Sequence, residues 1–380
     1  MQGTMKAARF YGARGPQGKQ EVVRVEQTPI PDIDQNEVLI RVLRAGLNHG
    51  DLHMREDGIN YAPDIDVIPY LPMTIGHDGL GEVVEVGAEV TNVRPGDRAV
   101  VMCAITCGFC KYCRTDRQNL CPSHKTMGFV ANFGAKKLPE RLLRYKDGLW
   151  AEYCRVPATN LCPLRPEDDL DVMSKVSQIA VGYRALKRAR FHSGETLIVH
   201  GASGITGIGT IISAMLMGAA RIIAVARNPV RLEQVRQIDP RRISTISLSR
   251  GESITQKVQE LTGGQGASVL ADVAPAGAET MMECMKNLEA GGRVTLIAAN
   301  PEPLHIPIRY LMVRNIEFTS TTGRHYADVP ELLELARNGV IDTQPITSRF
   351  FPLEAADEAL DYIINRGDHD PRWPMYAPPA

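Results

Sequence analysis

Residues Thr196–Gly207 read TLIVHGASGITG, and this stretch carries the fold prediction. A short apolar segment leads directly into a glycine-rich turn, which is typical of a buried strand followed by a helix. The inner frame, Ala202-x-Gly204-x-x-Gly207, is a version of the G-x-G-x-x-G fingerprint with Ala first. Gly204 lets the backbone approach a pyrophosphate, and Gly207 lets the helix pack on the strand. A plain glycine turn in an α/β protein is the alternative. The expected dinucleotide contacts are Gly201, Ala202, Ser203, Gly204, Ile205, Thr206 and Gly207.

A regular alternation of strands and helices continues from this turn. Strands that read as continuous apolar runs between helices predict a parallel, doubly wound sheet. Val273 and Ala298, at the ends of the fourth and fifth strands, complete the expected dinucleotide contacts. The predicted strands are Thr196–His200, Arg221–Ala226, Arg242–Ser247, Ser268–Val273 and Arg293–Ala298, and the predicted helices between them are Ile205–Met217, Pro229–Ile238, Ser253–Leu261 and Gly277–Leu288.

The region that precedes this alternation has a different, β-rich character. Short apolar alternations, such as Glu37–Arg44 and Gly81–Val86, are separated by turn signals such as Pro95-Gly96-Asp97. The chain is therefore predicted to be an α/β protein with a β-rich domain over 1–164 and a dinucleotide-binding domain over 165–318. The last segment, 319–380, is predicted to fold back on the first domain.

The end of the second strand bears on which dinucleotide is bound. An Asp or Glu about 20 residues past the glycines bonds the ribose 2′-hydroxyl in NAD-binding versions of this turn. Here the strand ends Val225-Ala226-Arg227-Asn228, and the next acid is Glu233. Arg227, helped by Arg231, is expected to pair with a 2′-phosphate, so NADP(H) is preferred over NAD(H). A solvated surface role for Arg227 is the alternative.

Four cysteines form the most specific local motif of the chain. Their spacing, Cys107-x2-Cys110-x2-Cys113-x7-Cys121, lets one loop, about residues 103–122, surround a single ion. Tetrahedral zinc takes four thiolates, and a closed set leaves no position for a substrate. The motif predicts one structural Zn²⁺ per subunit; a chance cluster of free thiols is the alternative. The remaining cysteines are expected to be buried packing residues.

Composition excludes several classes of protein. The chain has 380 residues, 43 Lys+Arg against 44 Asp+Glu, and a net charge of −1, so nothing favours binding to nucleic acid. The sequence contains neither an apolar run of about 20 residues nor a secretory signal, which argues against a membrane partner. The cysteine usage fits a metal site in a reducing compartment. We therefore expect a cytoplasmic protein.

The motifs together resemble the medium-chain dehydrogenase/reductase superfamily of zinc alcohol dehydrogenases and quinone reductases. The matching pieces are Gly76–Val84 (GHDGLGEVV), Pro95–Arg98 (PGDR), Gly148–Tyr153 (GLWAEY), the four-cysteine loop and the GASGITG turn. The resemblance implies a GroES-like catalytic domain followed by a Rossmann domain. It also implies hydride transfer between a nicotinamide and a small molecule in the cleft between them, and homodimers or homotetramers.

The chain departs from this family at the catalytic metal. Members with catalytic zinc carry Cys-x-Ser/Thr-Asp-x-His near residue 50, whereas here the string reads Asn48-His49-Gly50-Asp51-Leu52-His53. The resemblance places Asn48 at the thiolate position and Ser177 at the third ligand position, and only His77 remains. A neutral amide and a hydroxyl are poor zinc ligands. The catalytic zinc is therefore expected to be lost. A shifted site made of His49, Asp51, His77 and Asp78 is the alternative.

These departures favour a reductase that works without catalytic zinc. Negative charge on the substrate oxygen then has to be met by hydrogen-bond donors, and a conjugated enone or quinone delocalises that charge. Asn48 is expected to donate to the substrate oxygen, with Tyr61 as a further donor. His53 or His77 is expected to supply or relay the proton, and Asp51 to orient the loop. The alternatives are a zinc-dependent alcohol or polyol dehydrogenase with a rearranged metal site and a dinucleotide-binding protein without turnover.

Overall fold

The structure is a computed structural model, and it describes residues 1–12, 22–57, 71–129, 143–298, 300, 302–344, 346–365, 370 and 372–378. Tyr61 lies outside these residues. The chain divides into two compact units. Unit 1 comprises Met1–Ser177, Ser348–Arg366 and Arg372–Ala380, and unit 2 comprises Gln178–Thr347 and Gly367–Pro371.

Unit 1 is built from curved antiparallel sheets. Among the described residues, one sheet has the order β2-β1-β4, a larger one has the order β10-β6-β5-β3-β18-β17 with β9 also paired to β3, and β7 pairs with β8. Its core lies under the long strand β3 and contains Val38, Ile40, Val83 and Trp150. The strands are β1 (Thr4–Phe10), β2 (Val23–Pro29), β3 (Glu37–Gly46), β4 (Met73–Thr74), β5 (Asp78–Val86), β6 (Arg98–Val101), β7 (Ala104–Ile105), β8 (Lys125–Thr126), β9 (Tyr153–Pro157), β10 (Leu161–Pro163), β17 (Ser348–Phe351) and β18 (Trp373–Tyr376), and the helices are α1 (His49–Asp57), α2 (Leu170–Met173) and α10 (Ala356–Asn365).

Unit 2 is a parallel sheet of order β13-β12-β11-β14-β15-β16 with connecting helices. All its strand pairs are parallel, as the continuous apolar runs predicted. The α/β class and the Rossmann sheet are thereby confirmed. The strands are β11 (Thr196–His200), β12 (Arg221–Ala226), β13 (Ile243–Ser247), β14 (Ala267–Asp272), β15 (Leu288–Leu296) and β16 (Glu317–Ser320), and the helices are α3 (Val176–Arg188), α4 (Ile205–Leu216), α5 (Pro229–Arg236), α6 (Ile254–Thr262), α7 (Ala278–Lys286), α8 (Ile308–Arg314) and α9 (Asp328–Arg337).

The unit boundaries fall later in the chain than the predicted limits at 164 and 318. The strand β16, which sequence reasoning missed because it is short and half-exposed, extends the parallel sheet beyond residue 318. The helix α9 is joined to α3 by Arg184 and Lys187, which donate to the buried carboxylate of Asp328 at 2.6 and 3.1 Å. Residues 319–347 therefore belong to unit 2, and residues from Ser348 return to unit 1.

Candidate active site

The segment before α1 forms a helix cap that fixes two of the predicted site residues. The side chain of Asn48 accepts the Gly50 N–H at 2.7 Å, and the Asp51 carboxylate accepts the Asn48 N–H at 2.9 Å. Asp51 bonds the backbone N–H of the residue three positions before it, as the later residue of a capping box does, whereas the Asn48 oxygen bonds Gly50 and not Asp51. Asn48-x-x-Asp51 is thus a local signal that could have been identified from the sequence.

The amide of Asn48 has its orientation set by this cap. Because its oxygen accepts from Gly50, its nitrogen points the other way, at 3.1 Å from His77 Nε2 and 3.2 Å from Asp78 Oδ2. An amide NH₂ has two hydrogens, and each therefore has a protein acceptor. A substrate oxygen that binds Asn48, as the sequence analysis expected, has to take over one of these two bonds.

His77 lies between Asn48 and a buried carboxylate. Its Nδ1 is 3.1 Å from Asp51 Oδ1, so Nδ1 carries a proton and donates to Asp51. With Nδ1 protonated, Nε2 of the neutral ring accepts from Asn48; this tautomer is assigned from the hydrogen bonds. Asp51 is fully buried, whereas 17% of the His77 side chain is exposed. The arrangement is an Asp–His pair whose outer nitrogen, Nε2, is bonded by Asn48.

The two neighbouring polar residues complete the cluster. Asp78 begins β5 and is 1% exposed, and Ser177, near the start of α3, donates to it at 3.0 Å. The structure thus brings Asn48, Asp51, His77, Asp78 and Ser177 together. His53 is two residues after Asp51 on α1, and side chains two apart on a helix do not share a face.

Phe129 is a site residue that the sequence analysis missed. Its ring packs against the ring of His77, with centroids 5.1 Å apart. A Cβ at Gly50 would stand 3.0 Å from Asn48 Oδ1 and 3.3 Å from Phe129 Cε2, so glycine leaves the space that the ring occupies. No motif indicated this contact, because Phe129 and His77 lie far apart in the sequence.

The donor set at this cluster does not fit a catalytic zinc ion. The first position carries an amide and the third a hydroxyl, and both are occupied by hydrogen bonds to Asp78. Among the described residues, the group of cysteine, histidine or acidic side chains arranged to hold an ion is the four-cysteine set.

The four-cysteine loop fits a structural zinc ion. The Sγ atoms lie within 4.8 Å of one another, and three of the distances are 3.6, 3.6 and 3.9 Å. A tetrahedral ion with Zn–S bonds of about 2.3 Å needs sulfur separations of about 3.8 Å. Backbone N–H groups of Cys110 and Ser123 point at two of the sulfurs, at 3.4 Å each, and stabilise thiolate charge.

In unit 2, the predicted dinucleotide contacts lie together at the carboxyl end of β11. Gly201 has φ of +87°, and Gly204 is the N-cap of α4. A Cβ at Gly207 would stand 2.4 Å from the Gly201 carbonyl oxygen, which explains why the position takes glycine. The backbone N–H of Val273 bonds the His200 carbonyl at 2.9 Å, so the end of β14 lies beside the turn. The N–H of Ala298 bonds the Asp272 carbonyl at 3.3 Å.

The end of β12 presents cations instead of a free acid. The carbonyl of Arg227 accepts the hydroxyls of Ser247 and Ser249 at 3.1 and 2.6 Å, which fixes the backbone there. Glu233, the first acid after the strand, accepts from Arg236 and Gln237, and the Arg236 hydrogen bonds lower its pKa to about 2. Arg231 and Ser203 line a cavity of about 200 Å³ beside the glycine turn.

Comparison with known proteins supports both halves of this description. Residues 34–166 match the family model "Alcohol dehydrogenase GroES-like domain", and residues 206–338 match "Zinc-binding dehydrogenase". The chain belongs to the medium-chain dehydrogenase/reductase superfamily, in its zinc-type alcohol dehydrogenase branch. It is an oxidoreductase of the alcohol dehydrogenase type.

This medium-chain dehydrogenase has relatives of similar length. It is 25% identical to sorbitol dehydrogenase of Bacillus subtilis over 363 residues, covering 95% of this chain and 94% of that protein. It is 27% identical to an alcohol dehydrogenase of Geobacillus stearothermophilus, covering 90% and 93%. Among solved structures, alcohol dehydrogenase TADH from Thermus sp. ATN1 has a TM-score of 0.82 and 26% identity, covering 99% and 100%. In the part of the medium-chain dehydrogenase that the structure describes, no helix has the length and apolar character needed to span a bilayer.

Proposed function

We propose that this medium-chain dehydrogenase transfers hydride between NADP(H) and a carbonyl-type small molecule without catalytic zinc, most readily reducing a conjugated enone or quinone. The observation that carries the proposal is that Asn48, at a position where the family resemblance implies a zinc ligand, bridges His77 and Asp78 with its amide hydrogens. Asp51 orients His77 from the other side. Such an Asp–His pair is suited to general acid–base work.

The proton step follows from the acceptor at His77 Nε2. We infer that a substrate oxygen enters between Asn48 Nδ2 and His77 Nε2, replacing the 3.1 Å hydrogen bond that joins them. In the oxidation direction, an alcohol O–H gives its proton to Nε2 while Asn48 donates to the oxygen, and Asp51 stabilises the resulting imidazolium. In the reduction direction, the imidazolium returns that proton to the substrate oxygen. The dinucleotide, when bound, supplies or accepts the hydride.

The substrate class follows from what the amide can stabilise. One neutral donor gives less stabilisation to an oxyanion than a divalent ion does. An enone or a quinone spreads the charge over a conjugated system, so it demands less of Asn48 than a simple ketone. Protonation by His77 then completes the addition of one hydride and one proton.

The preference for NADP(H) is supported by the end of β12. A ribose 2′-phosphate needs cations, and Arg227 and Arg231 stand at this strand end and the following helix turn. A ribose 2′-hydroxyl needs an acceptor, whereas Glu233 already accepts from Arg236 and Gln237. We propose that Arg227 contacts the 2′-phosphate.

The assembly and location of the protein are further parts of the proposal. On α8, Ile308, Met312 and Val313 are 81, 69 and 64% exposed, and apolar side chains grouped on one short helix favour contact with a second subunit. This supports a homodimer or homotetramer. None of the eight cysteines forms a disulfide in the structure, which fits a cytoplasmic protein holding one structural zinc ion.

A zinc-dependent alcohol or polyol dehydrogenase is the second candidate. It is favoured by the names of the relatives, which include sorbitol dehydrogenase and alcohol dehydrogenase. Its ion would need His49, Asp51, His77 and Asp78 as ligands after a rearrangement of the Asn48 hydrogen bonds.

Zinc stoichiometry separates the candidates. Purified protein is analysed for zinc per chain, and oxidation of NADPH and of NADH is followed with a quinone and an enone, with and without a chelator. We expect one zinc, faster turnover with NADPH, and activity that survives chelation. Two zinc ions with chelator-sensitive alcohol oxidation would establish the second candidate. Tight NADPH binding without turnover of any acceptor would leave a binding protein.

A further inference from the structure

A buried histidine–aspartate pair stands where the winding of the unit 2 sheet reverses. The strand order β13-β12-β11-β14-β15-β16 places this reversal between β11 and β14. In doubly wound sheets, the ligand binds outside the carboxyl ends of the strands at this point. His200 is the last residue of β11, Asp272 is the last residue of β14, and the two are register partners.

The two side chains are buried and bonded to each other. His200 Nδ1 is 2.8 Å from Asp272 Oδ1, and the two residues are 4 and 3% exposed. A carboxylate at this depth requires a donor, and the imidazole supplies it. The same carboxylate oxygen accepts the backbone N–H of Ala274 at 3.4 Å. The pair thus has contacts on both strands and on the loop that follows β14.

Two loops abut at this pair. Gly201, the first residue of the glycine turn, approaches the next loop so closely that a Cβ would stand 2.8 Å from Ala274 N. On the far side of the imidazole, a Cβ at Gly277 would stand 3.5 Å from His200 Cε1. Gly277 is the N-cap of α7 and has φ of +95°. The imidazole is therefore held between the root of the glycine turn and the start of α7.

We propose that His200 and Asp272 are a positioning pair for the dinucleotide: they hold the glycine turn, 201–207, in register with the loop 273–277. The inference rests on the dinucleotide binding proposed above and adds two residues to it. Neither side chain reaches the ligand. Their effect is to keep the N–H groups of the turn and the carboxyl end of β14 at the spacing that the ligand needs, so that binding does not have to order them.

Two substitutions at His200 separate positioning from bulk packing. His200→Leu fills the space but removes the donor to Asp272, whereas His200→Asn retains an N–H close to the place of Nδ1. We expect the Kd for NADPH to rise about tenfold in His200→Leu, equivalent to about 1.4 kcal/mol, and to return most of the way in His200→Asn.

The control is an ion pair elsewhere in the same sheet. Arg293, in β15 and level with Val269 of β14, pairs with Glu195 just before β11, and its side chain is 10% exposed. Arg293→Met removes a mostly buried pair that lies away from the carboxyl ends of β11 and β14, where the glycine turn begins. We expect it to lower the free energy of unfolding and to leave the NADPH Kd unchanged.

The measurement is NADPH titration by fluorescence, with urea unfolding of each variant. An unchanged Kd in His200→Leu would overturn the inference, as would an equal loss in Arg293→Met. An equal loss in His200→Asn would also overturn it, because it would show that ring volume and not the donor matters. If the unaltered protein binds neither NADPH nor NADH, the proposed function itself fails, and this outcome is distinct from the others.

Discussion

At the scale of single residues, the candidate site depends on which hydrogen bonds can be exchanged. Asn48 gives both amide hydrogens to protein acceptors, and His77 gives its Nδ1 proton to a fully buried carboxylate. In the proposed mechanism, the atom that exchanges a proton with the substrate is His77 Nε2. The residue proposed to act as general acid and base, His77, is thus the one that the family resemblance implied as a metal ligand.

Replacing His77 by asparagine tests this role. His77→Asn keeps an N–H for Asp51 but has no group that exchanges a proton near neutral pH. We expect kcat to fall about 10²- to 10⁴-fold, with NADPH binding unchanged, because general acid–base catalysis contributes that much. His53→Asn, on the same segment, is the control and should retain most of the activity. Equal losses in both variants would contradict the assignment.

Lys125 is a second residue whose environment leads to a prediction, which concerns the pH dependence of stability. It is 1% exposed, its ammonium donates to the Phe129 carbonyl, and burial lowers its pKa to about 7, with Asp147 opposing and Lys146 adding to the shift. Between pH 7 and pH 10, the unfolded chain binds the proton that the folded chain has lost, so stability due to this group rises with pH.

We therefore expect Lys125→Met to remove a pH dependence. As the pH rises from 7 to 10, the unfolding free energy of the original protein should increase relative to that of Lys125→Met. Urea unfolding at several pH values measures it. Lys286→Met, at an exposed position, is the control. A difference that does not change with pH would contradict a lowered pKa for Lys125.

At the scale of elements, α1 is fixed at its far end by a buried arginine. Arg55 is 1% exposed, and its guanidinium bonds Asp357 at 2.9 Å and Asp361 at 2.6 Å, both on α10. The helix that carries Asp51 is thereby tied to the segment that returns to unit 1 at the end of the chain. This contact joins an early helix of the sequence to the last one described.

Arg55→Met should destabilise unit 1 through this contact. We expect a loss of about 2 kcal/mol in the free energy of unfolding, because two half-exposed carboxylates lose a buried partner. Arg41→Met, which removes an exposed pair with Glu82 at 2.8 Å, should cost less than about 1 kcal/mol. Chemical denaturation of both variants measures the difference. Equal losses would show that the α1–α10 contact adds nothing beyond a surface ion pair.

At the scale of the whole molecule, three distant parts of the chain converge on one polar cluster. Asn48 precedes α1, His77 precedes β5, and Ser177 is near the start of α3. The positions that the family resemblance assigned to zinc ligands are therefore adjacent in space, since Asn48 and Ser177 both bond Asp78. Asn48 and Ser177 lack the thiolate or carboxylate groups that bind zinc.

Restoring that chemistry should restore a metal. In Asn48→Cys combined with Ser177→Cys, two thiolates and His77 Nε2 give three zinc ligands, and we expect zinc to rise from one to two per chain. The control is Asn48→Ala combined with Ser177→Ala, which should remain at one. Elemental analysis gives the count. Two zinc ions in the control, or one in the cysteine variant, would contradict this account of the site.

The sequence by itself determined the classes of structure and the local motifs. Continuous apolar runs between helices determined the parallel sheet, and the spacing of Cys107, Cys110, Cys113 and Cys121 determined a set of thiols that meet in space. Both depend on neighbours in the chain, so periodicity and spacing are enough to identify them. The cap formed by Asn48, Gly50 and Asp51 belongs to the same class.

Only the tertiary structure decided which atoms are available at the site. That Asn48 donates its amide hydrogens to His77 and Asp78, and that Phe129 packs on His77, depend on segments that are distant in the sequence. The pairing of His200 with Asp272 depends in the same way on strands that meet only in the folded sheet. The physical reason is that hydrogen bonds between distant segments are set by the packing of the elements that carry them, which no local pattern records.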